Sequence, residues 1–245
     1  MVCRSQPSWY LSEGVGLSAV NDITFLENAA FIVAKKHFRK KPYYVDLVDL
    51  MHAAVFRSSF GKGLDLMSEK INDCQAAYRF SMNLYETVMK NKSAYTGFYL
   101  PVALAMIMSG IKSDKAFRMV KKITLNIGLY FQAQDDFIDV FGMPEQAGRI
   151  SSDIVNGKCS WPIVAAFERA NDIQRKILLE NYGQTDHMKI SIIKNMFGCL
   201  NIQEIYWNFE YGARKNINEE VDELPNELPK PLFQLIMAAI AGRQS

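Results

Sequence analysis

The chain has 245 residues, 49% of them hydrophobic, and carries a formal net charge of +2 at pH 7. Such a chain can bury one sizeable core, and its nearly balanced charge argues against a nucleic-acid surface or an acidic tail. The 4 cysteines lack the spacing of metal ligands, so we expect reduced thiols and a cytoplasmic protein. The N-terminal residues do not form a signal peptide, and the apolar run at 98–109 is too short to span a bilayer.

Helical patterns account for most of the chain. Asn21 and Asp22 form a good N-cap, and Ser113 and Asp114 form another at the start of a long helix that ends in acidic residues. We find no strand-like alternation, no internal repeat and no low-complexity segment. The sequence therefore predicts an all-α bundle in a single domain, 1–245, with its active site in the bundle core between facing helices. Besides the long helix and a restart at 151–161, the predicted helices cover 21–37, 44–67, 72–90, 102–108, 162–170, 173–182, 188–200, 202–217 and 231–241. In the helix over 72–90 we expect Tyr78, Met82, Tyr85 and Val88 to face inward.

Two stretches in the first half contain residues that a plain surface helix does not explain. Gly61 and Gly63 each cost about 1 kcal/mol relative to alanine in a helix interior, which predicts the close approach of another backbone or of a ligand. Asp65 follows them, and its position fits a cation contact and a helix-capping acid equally well. In KSAYTGFYLP, we expect a polar pocket mouth lined by Lys92 with Ser93, Tyr95, Thr96 and Tyr99.

Three carboxylates, Asp135, Asp136 and Asp139, lie within an apolar segment. Their i, i+3 and i+4 spacing places them on one side of a helix, where like charges repel by about 0.2–0.5 kcal/mol per pair. Hard carboxylate oxygens without neighbouring thiols or imidazoles favour Mg²⁺. The alternative is an acidic face in contact with solvent.

The residues that follow support the metal interpretation. Arg149 and Lys158 add positive charge and Asp153 adds a further carboxylate. Acids beside bases in apolar surroundings are typical of a site that binds a metal together with phosphate, since the acids hold the cations and the bases hold the anion.

The string FQAQDDFIDVFG, followed by GRISSDIVNGKCSW, resembles the second aspartate-rich region of the farnesyl diphosphate synthases, which are all-α trans-isoprenyl diphosphate synthases. Other blocks resemble the family in the same order: WYLSEGVGLSAVND, KPYYVDLVDL, GKGLDL, KSAYTGFYLP and LLENYG. The resemblance implies an isoprenoid-synthase-type bundle and a homodimer. It also implies Mg²⁺-dependent condensation of isopentenyl diphosphate with dimethylallyl or geranyl diphosphate.

The resemblance also assigns roles to individual residues. Asp135, Asp136, Lys92 and Lys158 are the expected catalytic residues. The implied metal ligands are Asp135, Asp136 and Asp139, with Asp153 as an outer partner and Asp65 as an auxiliary one. Substrate contacts are implied for Lys92, Arg149 and Lys158 on the allylic diphosphate, for Ser93 and Gln132 beside them, for Phe131 next to the homoallylic substrate, and for Arg4.

Some family features are missing from the chain. The first aspartate-rich motif of the family precedes an Arg-Arg-Gly, and here CRSQPSWY begins almost at Met1. We therefore expect residues 1–245 to lack the first helices and that motif, through either a truncated gene model or a real loss. The basic C-terminal tail of the family is reduced to Arg243. We therefore expect weak turnover by these residues alone, and two alternatives stay open: a terpene synthase derived from the family, and a catalytically impaired partner subunit.

Overall fold

The computed structural model describes residues 2–3, 6–68, 75–142, 152–241 and 243, and these are almost entirely helical. A two-residue strand, β1 (Val2–Cys3), pairs antiparallel with β2 (Gln6–Pro7), which the sequence did not predict. Short 3₁₀ turns follow at Trp9–Leu11 and Gly16–Ser18. The α-helices are α1 (Ala19–Phe38), α2 (Tyr44–Ser68), α3 (Ala76–Arg79), α4 (Met82–Met89), α5 (Leu100–Met108), α6 (Asp114–Phe141), α7 (Ser152–Val155), α8 (Trp161–Arg169), α9 (Asp172–Asn181), α10 (His187–Cys199), α11 (Ile202–Asp222) and α12 (Lys230–Ala241).

The all-α prediction is confirmed, and most helix ends lie within two residues of their predicted positions. The helix predicted over 72–90 is the main exception, because Ser81 starts a new helix: its hydroxyl accepts a hydrogen bond from the backbone N–H of Leu84 at 3.3 Å. Tyr78, predicted to face inward, is instead exposed on the short α3. Tyr85 and Val88 face inward as predicted.

A π-helix, Lys90–Tyr99, connects α4 to α5 and packs between α2 and α6. A glycine on α2 and a glycine on α6 allow the π-helix to pack closely against both helices. A Cβ atom on Gly61 would lie 2.3 Å from the backbone nitrogen of Lys92, and one on Gly128 would lie 2.3 Å from the Cβ of Ala94. The predicted close approach of a backbone is thus confirmed at Gly61. At Gly63 no backbone approaches, since an added Cβ atom would meet no heavy atom within 4 Å outside its own helix turn.

Two buried clusters form the core, and α6 contributes to both. One cluster surrounds α4, α8, α10 and α11 and includes Tyr85, Trp161 and Tyr206. The other surrounds the first half of α6 with α5, α12 and the end of α11, and includes Ile127 and Phe233. Because α6 is fixed along its whole length, the acidic residues near its C-terminal end have a rigid support.

The apolar helix α1 is largely uncovered. Of its residues only Ala19 and Ala34 are buried, whereas six large apolar side chains are between 55% and 71% exposed: Val20, Ile23, Phe25, Leu26, Ile32 and Val33. The stretch Gly16–Phe38 is long and apolar enough to cross a membrane, with 11% of its apolar window buried. That property is weak evidence of a membrane span, because core helices of soluble proteins share it.

Candidate active site

Asp136 is a buried acceptor that ties three parts of the bundle together. Its Oδ2 accepts hydrogen bonds from the Tyr85 hydroxyl at 2.8 Å and from the backbone N–H of Trp161 at 2.9 Å. Its Oδ1 accepts a hydrogen bond from the Gln132 side-chain amide at 3.0 Å. The carboxylate therefore joins α6 to α4 and to the first residue of α8.

The surroundings of Asp136 favour its neutral form. Burial raises its pKa from 3.8 to about 7, and the charge of Asp153 acts in the same direction, while the bonds from Trp161, Gln132 and Tyr85 oppose it. With donors on both of its oxygens, Asp136 has less capacity to bind a cation than Asp135, which accepts on Oδ1 from Arg243.

Asp139 determines where the short helix α7 begins. Its Oδ1 accepts a hydrogen bond from the Ser152 hydroxyl at 2.8 Å, and its Oδ2 accepts one from the backbone N–H of Asp153 at 2.9 Å. A carboxylate at these first N–H groups satisfies donors that have no partner within the helix. In this way Asp139 brings Asp153 back to the acidic end of α6.

Asp153 and Lys158 form a close ion pair of 2.5 Å between Oδ1 and Nζ. Burial raises the pKa of Asp153, and Asp139 and Asp135 add to that shift while Lys158 opposes it. Burial alone would lower the pKa of Lys158, but Asp153, together with Asp136 and Asp139, raises it. Lys158 thus interacts with three carboxylates, those of Asp153, Asp136 and Asp139. The carboxylates outnumber it, which leaves an excess of acidic groups between the end of α6 and α7.

A second lysine–aspartate pair lies on the facing helices. The Lys92 Nζ lies 2.6 Å from the Asp65 Oδ2, and the Lys62 Nζ lies 3.2 Å from the same oxygen. Burial would raise the pKa of Asp65, but the hydrogen bond and charge of Lys92, with a smaller contribution from Lys62, hold it below the ordinary value. Asp65 is therefore an ionised carboxylate that faces Lys92 from α2.

Asp135 faces the C-terminal end of the chain. Its Oδ1 accepts a hydrogen bond from Arg243 Nη2 at 2.8 Å, and Arg243 Nη1 donates to the side-chain oxygen of Gln134 at 3.3 Å. The guanidinium carbon lies 4.2 Å from the ring centre of Phe131. A cation thus already occupies the side of Asp135 that the sequence assigns to a metal.

Two further predicted substrate contacts, Ser93 and Gln132, connect the Lys92 segment to Asp136. The Ser93 hydroxyl donates to the side-chain oxygen of Gln132 at 3.4 Å, which connects the segment after Lys92 to Asp136. Arg4 and Arg149, both predicted to bind substrate, lie outside the described residues. Apart from these two, the predicted site residues lie on the C-terminal halves of α2 and α6, at the start of the π-helix, and on and just after α7, which carries Asp153 and precedes Lys158.

The donor set fits Mg²⁺ only if part of its coordination comes from elsewhere. Within residues 6–68, 75–142, 152–241 and 243, no three His, Cys, Asp or Glu side chains are arranged to hold a metal alone. Mg²⁺ usually keeps several waters and takes one or two carboxylates together with substrate phosphates. Asp135 and Asp153 meet that requirement, since each is neutralised by one long basic side chain that can move away.

Nearly the whole chain is similar to proteins of one known family. The polyprenyl synthetase family model matches residues 2–200. The farnesyl pyrophosphate synthase of Candida albicans is 44% identical over 98% of this chain and 68% of that protein. The farnesyl pyrophosphate synthases of Artemisia annua and Gallus gallus are 37% and 36% identical over 98% of the chain, which spans 70% and 65% of their lengths. The chain belongs to the polyprenyl synthetase family.

In this polyprenyl synthetase, three further side chains contact the candidate site residues without having been predicted to do so. Tyr85 was predicted only as a core residue, yet its hydroxyl fixes Asp136. Lys62 was not considered, although its i, i+3 spacing from Asp65 is visible in the sequence. Arg243 was treated as the remnant of a tail, and no local pattern could place it against Asp135 because 108 residues separate the two.

Proposed function

We propose that this polyprenyl synthetase is a Mg²⁺-dependent prenyltransferase that condenses isopentenyl diphosphate with dimethylallyl or geranyl diphosphate. The observation that supports this most strongly is the pairing of Lys92 with Asp65 and of Lys158 with Asp153 on either side of the Gln132 face. Two lysines that can leave carboxylates for phosphate oxygens, beside carboxylates that can take a metal, suit a diphosphate leaving group.

In this proposal Asp135 and Asp153 hold Mg²⁺, with Asp65 as an auxiliary contact. When bound, Mg²⁺ neutralises the negative charge that develops on the departing diphosphate. Lys92 and Lys158 are released from their carboxylates and donate to phosphate oxygens, while Ser93 and Gln132 supply neutral hydrogen bonds. Asp136 and Asp139 keep the end of α6 and the start of α7 in position.

The aromatic wall beside the carboxylates suits a cationic intermediate. The rings of Phe98 and Phe131 lie 5.4 Å apart, and the face of Phe131 already accepts the Arg243 guanidinium. An aromatic face attracts a cation by about 0.5–2 kcal/mol, more when water is excluded. The same face can therefore stabilise the allylic cation that forms when the diphosphate departs.

The first test of the proposal is a product assay. The purified protein with Mg²⁺ and geranyl diphosphate is expected to form farnesyl diphosphate only when isopentenyl diphosphate is also present. A hydrocarbon or alcohol from geranyl diphosphate alone would make the protein a terpene synthase. No product in either reaction would favour the impaired partner subunit. The names of the fungal, plant and bird relatives favour the first outcome.

We also propose a homodimer that covers α1. Helices ordinarily pack their apolar side chains against another element, and the exposed apolar side chains of α1 are too many to face water singly. Phe25→Asp is expected to lower the molar mass in solution to that of the monomer, as measured by light scattering after gel filtration. Ile173→Asp, an equal change at an exposed site on α9, is the control. A monomeric unmutated protein would contradict the proposal.

A further inference from the structure

Two basic side chains meet at one tyrosine, away from the carboxylates. The guanidinium carbon of Arg57 lies 4.8 Å from the ring centre of Tyr95, and the Lys121 Nζ lies 5.5 Å from the same centre. Lys121 also lies 5.8 Å from the ring centre of Tyr99, which packs edge-on against Tyr95 at 4.9 Å. Arg57 comes from α2, Lys121 from α6 and both tyrosines from the π-helix, so three elements converge here.

Within the part of the chain that the structure describes, no carboxylate forms an ion pair with Arg57 or Lys121. The contrast with neighbouring basic residues is direct: Lys122 pairs with Glu220 at 3.0 Å, and Lys92 pairs with Asp65. Arg57 donates to the side-chain oxygen of Asn91 at 3.4 Å and also hydrogen-bonds the Tyr95 side chain, and both partners are neutral. Lys121 is partly buried beside the exposed Arg57, and two positive charges in proximity without a counter-charge repel each other. A bound anion would offset that repulsion.

The titration behaviour of these groups agrees with that charge imbalance. Burial lowers the pKa of Lys121, and the nearby charge of Arg57 lowers it further, as two like charges in proximity require. Burial raises the pKa of both Tyr95 and Tyr99. The phenols therefore stay neutral near pH 7 and do not compensate the cations.

The basic pair lies at a different level of the bundle from the candidate active site. Arg57 precedes Asp65 by two helical turns of α2, and Lys121 precedes Asp135 by almost four turns of α6. At 1.5 Å per residue these offsets are about 12 Å and about 21 Å along the two helix axes. The basic pair is therefore displaced along both helices from the carboxylates, although Arg57 contacts Asn91, the residue before Lys92.

We propose that Arg57 and Lys121, with Tyr95 between them, form a second binding site for an oxyanion of the phosphate class. The guanidinium of Arg57 offers parallel N–H donors, the ammonium of Lys121 offers a compact positive charge, and the pair thus resembles other phosphate-binding sites in proteins. Tyr95 holds both side chains in position through cation–π contacts. The site needs no metal, which separates it from the proposed catalytic centre.

The test is calorimetric titration of the purified protein with inorganic pyrophosphate in excess EDTA, so that no metal-dependent binding contributes. Arg57→Gln and Lys121→Gln are each expected to weaken binding about tenfold or more, since each removes a charge-assisted contact. Lys122→Gln, one residue away and paired with Glu220, is expected to leave binding unchanged. Thermal melts of the four proteins identify any loss caused by unfolding.

Further titrations identify the source of the oxyanion and separate this site from the catalytic one. Equal affinity for phosphate and pyrophosphate would indicate free phosphate, and tighter binding of geranyl diphosphate would indicate a prenyl ligand. Asp135→Ala is expected to leave this metal-free binding unchanged, so the site stands even if the prenyltransferase proposal fails. The inference is overturned if the unmutated protein binds no oxyanion in EDTA, or if Lys122→Gln weakens binding as much as Lys121→Gln.

Discussion

Asp136→Ala is expected to lower the free energy of unfolding by about 3–5 kcal/mol, because each buried donor that loses its acceptor costs about 1–3 kcal/mol. The substitution leaves the Tyr85 hydroxyl, the Trp161 N–H and the Gln132 amide without their shared acceptor. Denaturant unfolding followed by circular dichroism in EDTA measures the change. Glu180→Ala, at an exposed position on α9, is expected to change stability by less than about 0.5 kcal/mol.

A second variant, Asp136→Asn, tests the pH dependence of this stabilisation. Its amide resembles the neutral carboxyl group but cannot titrate. In the folded protein the pKa of Asp136 is raised from 3.8 to about 7, so the folded state binds this proton more tightly than the unfolded chain. The stabilisation from this group is therefore complete below pH 3.8 and is lost as the pH rises towards about 7. The asparagine variant is expected to lack this decline. Identical pH profiles of the two proteins would show that Asp136 is not the group responsible.

Asp135→Ala is expected to weaken Mg²⁺-dependent binding of pyrophosphate by about a hundredfold or more, because it removes the carboxylate proposed to contact the metal directly. Calorimetric titration with pyrophosphate, in the presence and absence of Mg²⁺, measures the metal-dependent part. Stability should change little, since Asp135 is partly exposed and its partner Arg243 can return to water. An unchanged Mg²⁺-dependent affinity would mean that Asp135 is not a metal ligand.

Arg243→Gln is expected to have the opposite effect on Mg²⁺ binding, because Arg243 contacts the same carboxylate. The guanidinium of Arg243 competes with any cation for Asp135, so its removal is expected to increase the affinity for Mg²⁺ by about threefold to tenfold, which corresponds to an ion pair of about 1 kcal/mol. Together the two variants separate loss of the metal ligand from release of its competitor. If both weakened binding alike, Arg243 would contact the ligand and would not compete with the metal.

The sequence by itself determined the fold class and most of the helices. Their apolar periodicity and their caps are local, as at Ser113, whose hydroxyl accepts a hydrogen bond from the Ala116 N–H. The acidic stretch on α6 could also be recognised, because Asp135, Asp136 and Asp139 have helical spacing within an apolar segment. The match to the family rests on the same local blocks, which keep their order along the chain.

Only the tertiary structure distinguished the three acids from one another. Their spacing is compatible with equal roles, yet Asp136 is a buried acceptor for α4 and α8, Asp139 caps α7, and Asp135 faces Arg243. These differences depend on which distant donors reach each carboxylate. A pattern confined to one helix contains no information about those donors.

The tertiary structure also determines which residues lie next to Lys92 and to Arg57. Lys92 meets Asp65 because Gly61 lets the π-helix lie directly against α2, and that contact joins residues 27 positions apart in the chain. Arg57 and Lys121 come together only where α2 and α6 flank that π-helix. Local sequence sets the helices and the charges they carry, whereas the packing of distant helices decides which charges are neutralised and which are left to bind a ligand.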